Sequence, residues 1–213
     1  MRRQCGFRHE KKLRALGITR IGGIDEAGRG ALAGPVVAAA VILPEKFRHK
    51  KLNDSKQLLP PLRQNIYSEL TGDGRITWAV GIVDHEEIDR INILRATHKA
   101  MHLALAALAA QPEHVLIDGR PVFPFPLPQT AIIDGDCYSL SIAAASVIAK
   151  VTRDTIMRDF CATFPEYCFS QHKGYATELH LLKLHELGPC PIHRRSFEPV
   201  AQPLFDFAVA GAA

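Results

Sequence analysis

Three apolar runs in this chain each end in an aspartate beside a glycine or a second acid: Gly23-Ile24-Asp25-Glu26, Leu116-Ile117-Asp118-Gly119 and Ile132-Ile133-Asp134-Gly135-Asp136. Short, continuously apolar runs suit strands covered on both faces. Acids at the ends of such strands sit on rigid elements and can converge at one edge of a sheet. Carboxylates gathered in this way repel one another and take up protons unless a cation neutralises them. Mg²⁺ and Mn²⁺ are hard ions that favour such oxygen ligands. A cluster of three or four acids without histidine partners therefore suggests a phosphoryl-transfer site with two ions roughly 3.5–4 Å apart. The alternative is that each acid caps a helix or closes a turn, as Asp-Gly pairs commonly do. Spacing alone leaves both open.

One geometric condition attaches to the first run. Neighbours on an extended strand point to opposite faces, so Asp25 and Glu26 cannot share a site within a regular strand. They can if the strand ends or bulges there, and the following Ala27-Gly28-Arg29-Gly30 makes such a break plausible.

Around these runs the pattern is that of an α/β domain. Residues 36–43 and 76–83 are further strand expectations, and 115–117 and 131–133 are two more. Residues 1–16 are charged and read as a short N-terminal helix or arm. Pro60 or Pro61 opens a helix to about residue 70, proline being suited to a first turn. Residues 89–110 form the clearest amphipathic helix, and 139–160 a long one with small residues on one face. Residues 178–187 form another, closed by Gly188 at the position a left-handed cap prefers. The order suggests one α/β domain over residues 1–213 with a helical C-terminal part and a tail over 201–213.

Composition excludes several classes. With 47% hydrophobic and 23% charged residues among 213, the chain can bury a core of its own. The five cysteines are scattered without a C-x-x-C pair, so neither a zinc ribbon nor a disulfide framework is expected. No apolar run approaches the roughly 20 residues of a membrane helix, and no apolar signal core follows the basic N-terminus. A cytoplasmic monomer is the expectation. The net charge of +4 leans only weakly towards a polyanionic partner.

Longer motifs narrow the reading. Asp25-Glu26-Ala27-Gly28-Arg29-Gly30 with Ala33-Gly34-Pro35-Val36-Val37-Ala38-Ala39-Ala40 resembles the N-terminal signature of bacterial ribonuclease HII. Asn53-Asp54-Ser55-Lys56, Ile117-Asp118-Gly119, and Gly135-Asp136 with Ile142-Ala143-Ala144-Ala145-Ser146 follow in the family's order. Ala149-Lys150-Val151-Thr152-Arg153-Asp154, His172-Lys173-Gly174-Tyr175 and His193-Arg194-Arg195-Ser196-Phe197 complete the set.

The resemblance implies a ribonuclease H-like fold, a mixed β-sheet flanked by helices with a helical C-terminal region, and an endoribonuclease that hydrolyses the RNA strand of RNA–DNA hybrids. It also implies nicking of duplex DNA 5′ to embedded ribonucleotides. It assigns Asp25, Glu26, Asp118 and Asp136 as the acids holding two Mg²⁺ or Mn²⁺ ions. Water would attack in line, leaving a 3′-hydroxyl and a 5′-phosphate. Telling a ribonucleotide from its neighbours requires sensing a 2′-OH, a role the resemblance gives to Gly28-Arg29-Gly30. Tyr175 would pack on the next sugar, and Lys56, Lys150, Arg194 and Arg195 are expected phosphate contacts.

Two acids compete for the site. Asp134 departs from the Lys or Gly usual in the family; it either adds negative charge or points into solvent. Asp154 lies too far along the 139–160 helix and is expected to be structural. Ala31, where bacterial members commonly carry Pro, is a further departure of little expected consequence. His98, His102, His180 and His185 read as surface or packing histidines. Gln202-Pro203-Leu204-Phe205-Asp206-Phe207 resembles the short peptides that dock on DNA sliding clamps. Ribonuclease HIII, which prefers long hybrids, and a binding module with a dead site are the rival readings. The motif set and the absence of a long N-terminal extension favour ribonuclease HII over ribonuclease HIII.

Overall fold

The computed structural model describes residues 5–201. Its centre is a five-stranded mixed sheet. Strands β1 (Ile21–Ala27), β2 (Val36–Ile42) and β3 (Thr77–Val83) form an antiparallel meander. Strands β4 (His114–Asp118) and β5 (Gln129–Ile132) add to the other side of β1 in parallel, giving the order β3-β2-β1-β4-β5.

β2 is apolar throughout because it is covered twice. Ala39 and Val41 pack with Ala143, Ala144 and Val147 on one face, while Ala38 and Ala40 pack with Ala96, Ala100 and Ala104 on the other. The first face carries α1 (Arg8–Arg14), α2 (Pro60–Gly72) and the long α5 (Leu140–Thr163). The second carries α3 (His85–Ile91) and α4 (Ile93–Ala106). α5 approaches so closely that a Cβ on Gly23 would lie 2.1 Å from the Ser141 carbonyl carbon. That contact seats the start of α5 directly on the strand that ends in Asp25.

The single amphipathic helix expected over 89–110 is two helices. Asn92, at φ 68°, breaks the chain between α3 and α4, and its side chain accepts from the Arg95 N–H at 3.1 Å. Asparagine tolerates that left-handed region and caps the new helix, so the apolar periodicity runs across a break it cannot reveal.

Glu10 of α1 is fully buried and accepts from Ser139 Oγ at 2.7 Å and Ser141 N–H at 3.1 Å. A carboxylate there complements the N-terminus of α5, so this part of the expected N-terminal arm is docked. The C-terminal part is helical, with α6 (Phe169–His172) and α7 (Glu178–Leu187), the latter closed by Gly188 at φ 72°. Single antiparallel bridges, Ala31 to Tyr175 and Ala33 to His193, tie it to the segment after β1. No helix among the described residues is long and apolar enough to cross a membrane.

Candidate active site

The acids meet where the parallel ladder stops. β1 pairs with β4 as far as Ile24 and Ile117, so Asp25 and Asp118 are the next residues on adjacent strands. β1 itself does not break at the acids. It stays in register with β2 through Asp25–Ala39, Glu26–Ala38 and Ala27–Val37. Asp25 shares a face with Ala27, towards α5, and Glu26 shares one with Ile24, towards α4. The expected break is thus replaced by a strand that outruns its parallel neighbour, leaving room for both acids to flank Asp118.

Asp136 arrives from the chain after β5. Asp134 takes a left-handed conformation at φ 53°, and Asp136 follows in a short 3₁₀ turn, Gly135–Cys137. The Gly135 N–H donates to Asp118 Oδ1 at 2.7 Å, fixing the turn to the end of β4. Asp134 is exposed, yet its charge still helps to raise Asp118.

Electrostatically the four acids are short of positive charge. Burial, with Glu26, Asp118 and Asp136 nearby, holds the Asp25 carboxyl well above the usual range. Burial also raises Glu26, against Arg29, whose Nη1 lies 3.2 Å away. It raises Asp118 despite the Gly135 N–H and Lys56. Asp136 is pushed up to about 6 by burial, then by Asp54 and Asp118. A set of oxygen donors that mutually resist ionisation fits one or more hard divalent cations.

Asp54 was not among the expected site residues. It presents a carboxylate oxygen within 4.8 Å of the ligand atoms of Asp136 and Cys137, and its Oδ1 accepts from the Lys56 N–H at 2.8 Å. The signal was present in Asn53-Asp54-Ser55-Lys56, where only the lysine was singled out. This turn is pinned to α5 by the Ser146–Ser55 hydroxyl bond at 2.7 Å. Partial burial pulls the Lys56 ammonium down, but Asp25, Asp136, Asp54 and Asp118 together raise it above the ordinary lysine value.

Two clefts flank the acids and share Glu26 and Arg29. One, of about 350 Å³, is lined by Gly28, Gly30, Lys56, Lys150 and Tyr175. The other, of about 390 Å³, is lined by His98, Asp118 and Arg120. Over the Tyr175 ring stand Arg153 Cζ at 5.2 Å and Lys150 Nζ at 5.5 Å. Asp154 pairs with Lys150 at 2.6 Å and Arg63 at 3.8 Å.

The glycine turn is held from beneath. Gly28 has φ +99°, and a Cβ there would meet Arg153 Nε at 2.1 Å, so both conformation and space require glycine. Arg194 donates to the carbonyls of Gly28, Arg29 and Gly34 at 2.7, 2.9 and 3.0 Å. Its side chain is fully buried, and burial with Arg153 nearby pulls it down to about 9. Arg194, expected at a phosphate, is instead buried beneath the turn with three of its donors on backbone carbonyls. Arg195 is exposed, donates to the Pro189 carbonyl at 3.1 Å and lines neither cleft.

The family model for ribonuclease HII matches residues 22–200. The chain belongs to that family. A ribonuclease HII from Geobacter metallireducens is 50% identical over 186 residues, 87% of each chain. Among solved structures, ribonuclease H2 from Pyrococcus horikoshii superposes with a TM-score of 0.68 at 27% identity, covering 85% of this chain and 95% of that one. Ribonuclease HII of Archaeoglobus fulgidus, solved in complex with PCNA, gives a TM-score of 0.68 at 26% identity over 84% and 95%. As a ribonuclease HII the chain is a metal-dependent endoribonuclease of RNA–DNA hybrids, and the ribonuclease HIII and dead-site readings give way. The match covers all the motif segments, the acids included, within a mixed sheet flanked by helices.

Proposed function

We propose that this ribonuclease HII also nicks duplex DNA on the 5′ side of single embedded ribonucleotides, using Asp25, Glu26, Asp118 and Asp136 to hold two Mg²⁺ or Mn²⁺ ions. The observation that carries the reading is the junction of the acid cluster with the Gly28–Tyr175 cleft through Glu26 and Arg29. Divalent ions held there would supply Lewis acidity to the scissile phosphate and lower the pKa of water. The protein's own groups do the rest. The acids orient and share the positive charge, and the Arg29 guanidinium steadies Glu26. The Gly28-Arg29-Gly30 backbone approaches the sugar and senses the 2′-OH, and Tyr175 packs on the adjoining sugar. Lys56 and Lys150 take neighbouring phosphates; Arg195 is retained only as an outer phosphate contact. Water is the nucleophile, so the products carry a 3′-hydroxyl and a 5′-phosphate.

The test is cleavage of a duplex DNA carrying one ribonucleotide, with Mg²⁺, Mn²⁺ or EDTA, beside an all-DNA duplex and a continuous hybrid. Metal-dependent nicking 5′ to the ribonucleotide supports the proposal. Cleavage confined to the continuous hybrid, or a 2′,3′-cyclic phosphate product, contradicts it.

The clamp-like segment Gln202–Phe207 lies outside the described residues. The Archaeoglobus relative, solved with PCNA, supports a sliding clamp as its partner. A chain ending at Ala201 should lose clamp capture in a pulldown; unchanged capture removes the idea.

A further inference from the structure

Three histidines outside the acid cluster are buried together. His180 and His193 are fully buried and His172 nearly so. They come from α6, α7 and the turn at 190–193. Their hydrogen bonds admit a single arrangement of protons when all three are neutral. His193 Nδ1 accepts the Cys190 N–H at 3.0 Å, so its proton is on Nε2. That Nε2 lies 3.0 Å from His180 Nε2, which must then accept. His180 therefore carries its proton on Nδ1, which donates to the Tyr175 carbonyl at 3.0 Å. His172 Nδ1 accepts the Gly174 N–H at 3.1 Å, and its Nε2 donates to the Tyr167 carbonyl at 2.8 Å. The His172 and His180 rings stack with centroids 4.2 Å apart.

The two ends of this chain of bonds are informative. One end grips the backbone of Gly174 and Tyr175. The other reaches His193, whose backbone bridges to Ala33, as Tyr175 bridges to Ala31. The Gly174 carbonyl also accepts from the Leu32 N–H at 2.8 Å. Tyr175 is thus set relative to the Gly28-Arg29-Gly30 turn through its backbone, while Arg153 and Lys150 bear on its ring. Each ring nitrogen of the three histidines has a partner, and apart from the Cys190 thiol beside His193 Nδ1 every partner is a main-chain group or another of these rings. Cys190 Sγ, 3.1 Å from His193 Nδ1, and Phe169, against all three rings, close the cluster.

We propose that His180, with His193 and His172 behind it, is a positioning residue for Tyr175: a neutral, directionally fixed hydrogen-bond chain that places the tyrosine against the glycine turn. The inference rests on the reading of Tyr175 as a sugar contact. Burial, with His172 and His180 respectively nearby, holds His180 and His193 down at about 4, which keeps these two rings neutral at neutral pH. Two formal charges act on the cluster: Arg195, which also lowers His193, and Lys173, which also lowers His172.

A double-mutant cycle on the single-ribonucleotide duplex tests it, with kcat and KM measured on variants that melt well above the assay temperature. His180→Leu keeps volume and removes both bonds. His180→Asn puts an amide N–H near the Nδ1 position and should recover much of the loss. His180→Leu is expected to lower kcat/KM about 10-fold, the scale of an outer-shell partner, and to add less than about twofold in a Tyr175→Ala background. Additive effects, or a lower melting temperature with kcat/KM unchanged, overturn the proposal while leaving the Tyr175 reading intact. An unaltered Tyr175→Ala enzyme overturns the Tyr175 reading itself. If His180→Leu fails to fold, ¹⁵N chemical shifts of the wild-type rings decide. Protons on His193 Nε2, His180 Nδ1 and His172 Nε2 support the chain, and any other tautomer at His180 overturns it.

Discussion

Two buried polar regions of this molecule solve opposite problems. In the acid cluster, Asp25, Glu26, Asp118 and Asp136 are like charges at one sheet edge, and burial with mutual repulsion raises all four. Later in the chain, Arg153, Arg194 and the three histidines are all buried, and most of their polar atoms meet main-chain partners. The second region shows what the fold does with polar groups it needs only for shape: it saturates them. The first keeps an excess of negative charge that the protein itself does not compensate, as expected of a site completed by cations.

The contrast is broken most severely by removing an acid. Asp25→Asn or Asp118→Asn should cut cleavage by roughly 10³-fold while circular dichroism stays native; near-normal turnover would separate the cluster from catalysis. The converse holds for Arg194→Met. It strands the carbonyls of Gly28, Arg29 and Gly34, and urea unfolding should show a loss of about 3 kcal/mol. A loss under about 1 kcal/mol would mean those bonds are not what holds the turn.

The acid cluster should instead gain stability when its charge is reduced. With Asp136 at about 6, ionising it at neutral pH opposes folding. In EDTA at pH 8, Asp136→Asn should therefore raise stability by roughly 1–3 kcal/mol. The smallest effect is the pH profile in EDTA, where the two regions have opposite signs. Raised carboxyls bind protons in the folded state, so their contribution falls as pH rises from the unfolded value near 4 through about 6. The histidines, depressed to about 4, bind protons only when unfolded, so theirs is full above about 6.5 and is lost as pH falls towards 4. Asp136→Asn should steepen the rise of stability between pH 4 and 6.5, and His180→Asn should flatten it. Parallel shifts in both variants would contradict the assignment.

The acid cluster was legible in part. Three apolar runs end in acids, and strand ends converge when the strands share a sheet, but spacing left turns open and the choice of four acids came with the motif resemblance. The α/β class and the helical C-terminal part followed from the order of the runs, whereas the mixed sheet came with the resemblance. What local pattern could not carry was direction and depth. Arg194 reads as a surface cation until burial shows its donors on the glycine turn. His180 sits at an ordinary helix spacing, and its partner His193 is 13 residues away. Asn92 interrupts a periodicity that continues on both sides. Asp54 was in view but lay beside a lysine that drew the phosphate reading. For Arg194, His180 and Asp54 the deciding partner is distant in sequence, where periodicity has no reach; at Asn92 the break is a local turn of the backbone.

The most direct test is thermal melting of the wild-type chain and Asp25→Asn across a Mn²⁺ titration from an EDTA-treated start. If the uncompensated acids are the metal site, Mn²⁺ raises the wild-type melting temperature in a saturable way, as ligand binding to the folded state requires, and Asp25→Asn loses most of that rise. Equal rises in the two proteins, or none in the wild type, would contradict it.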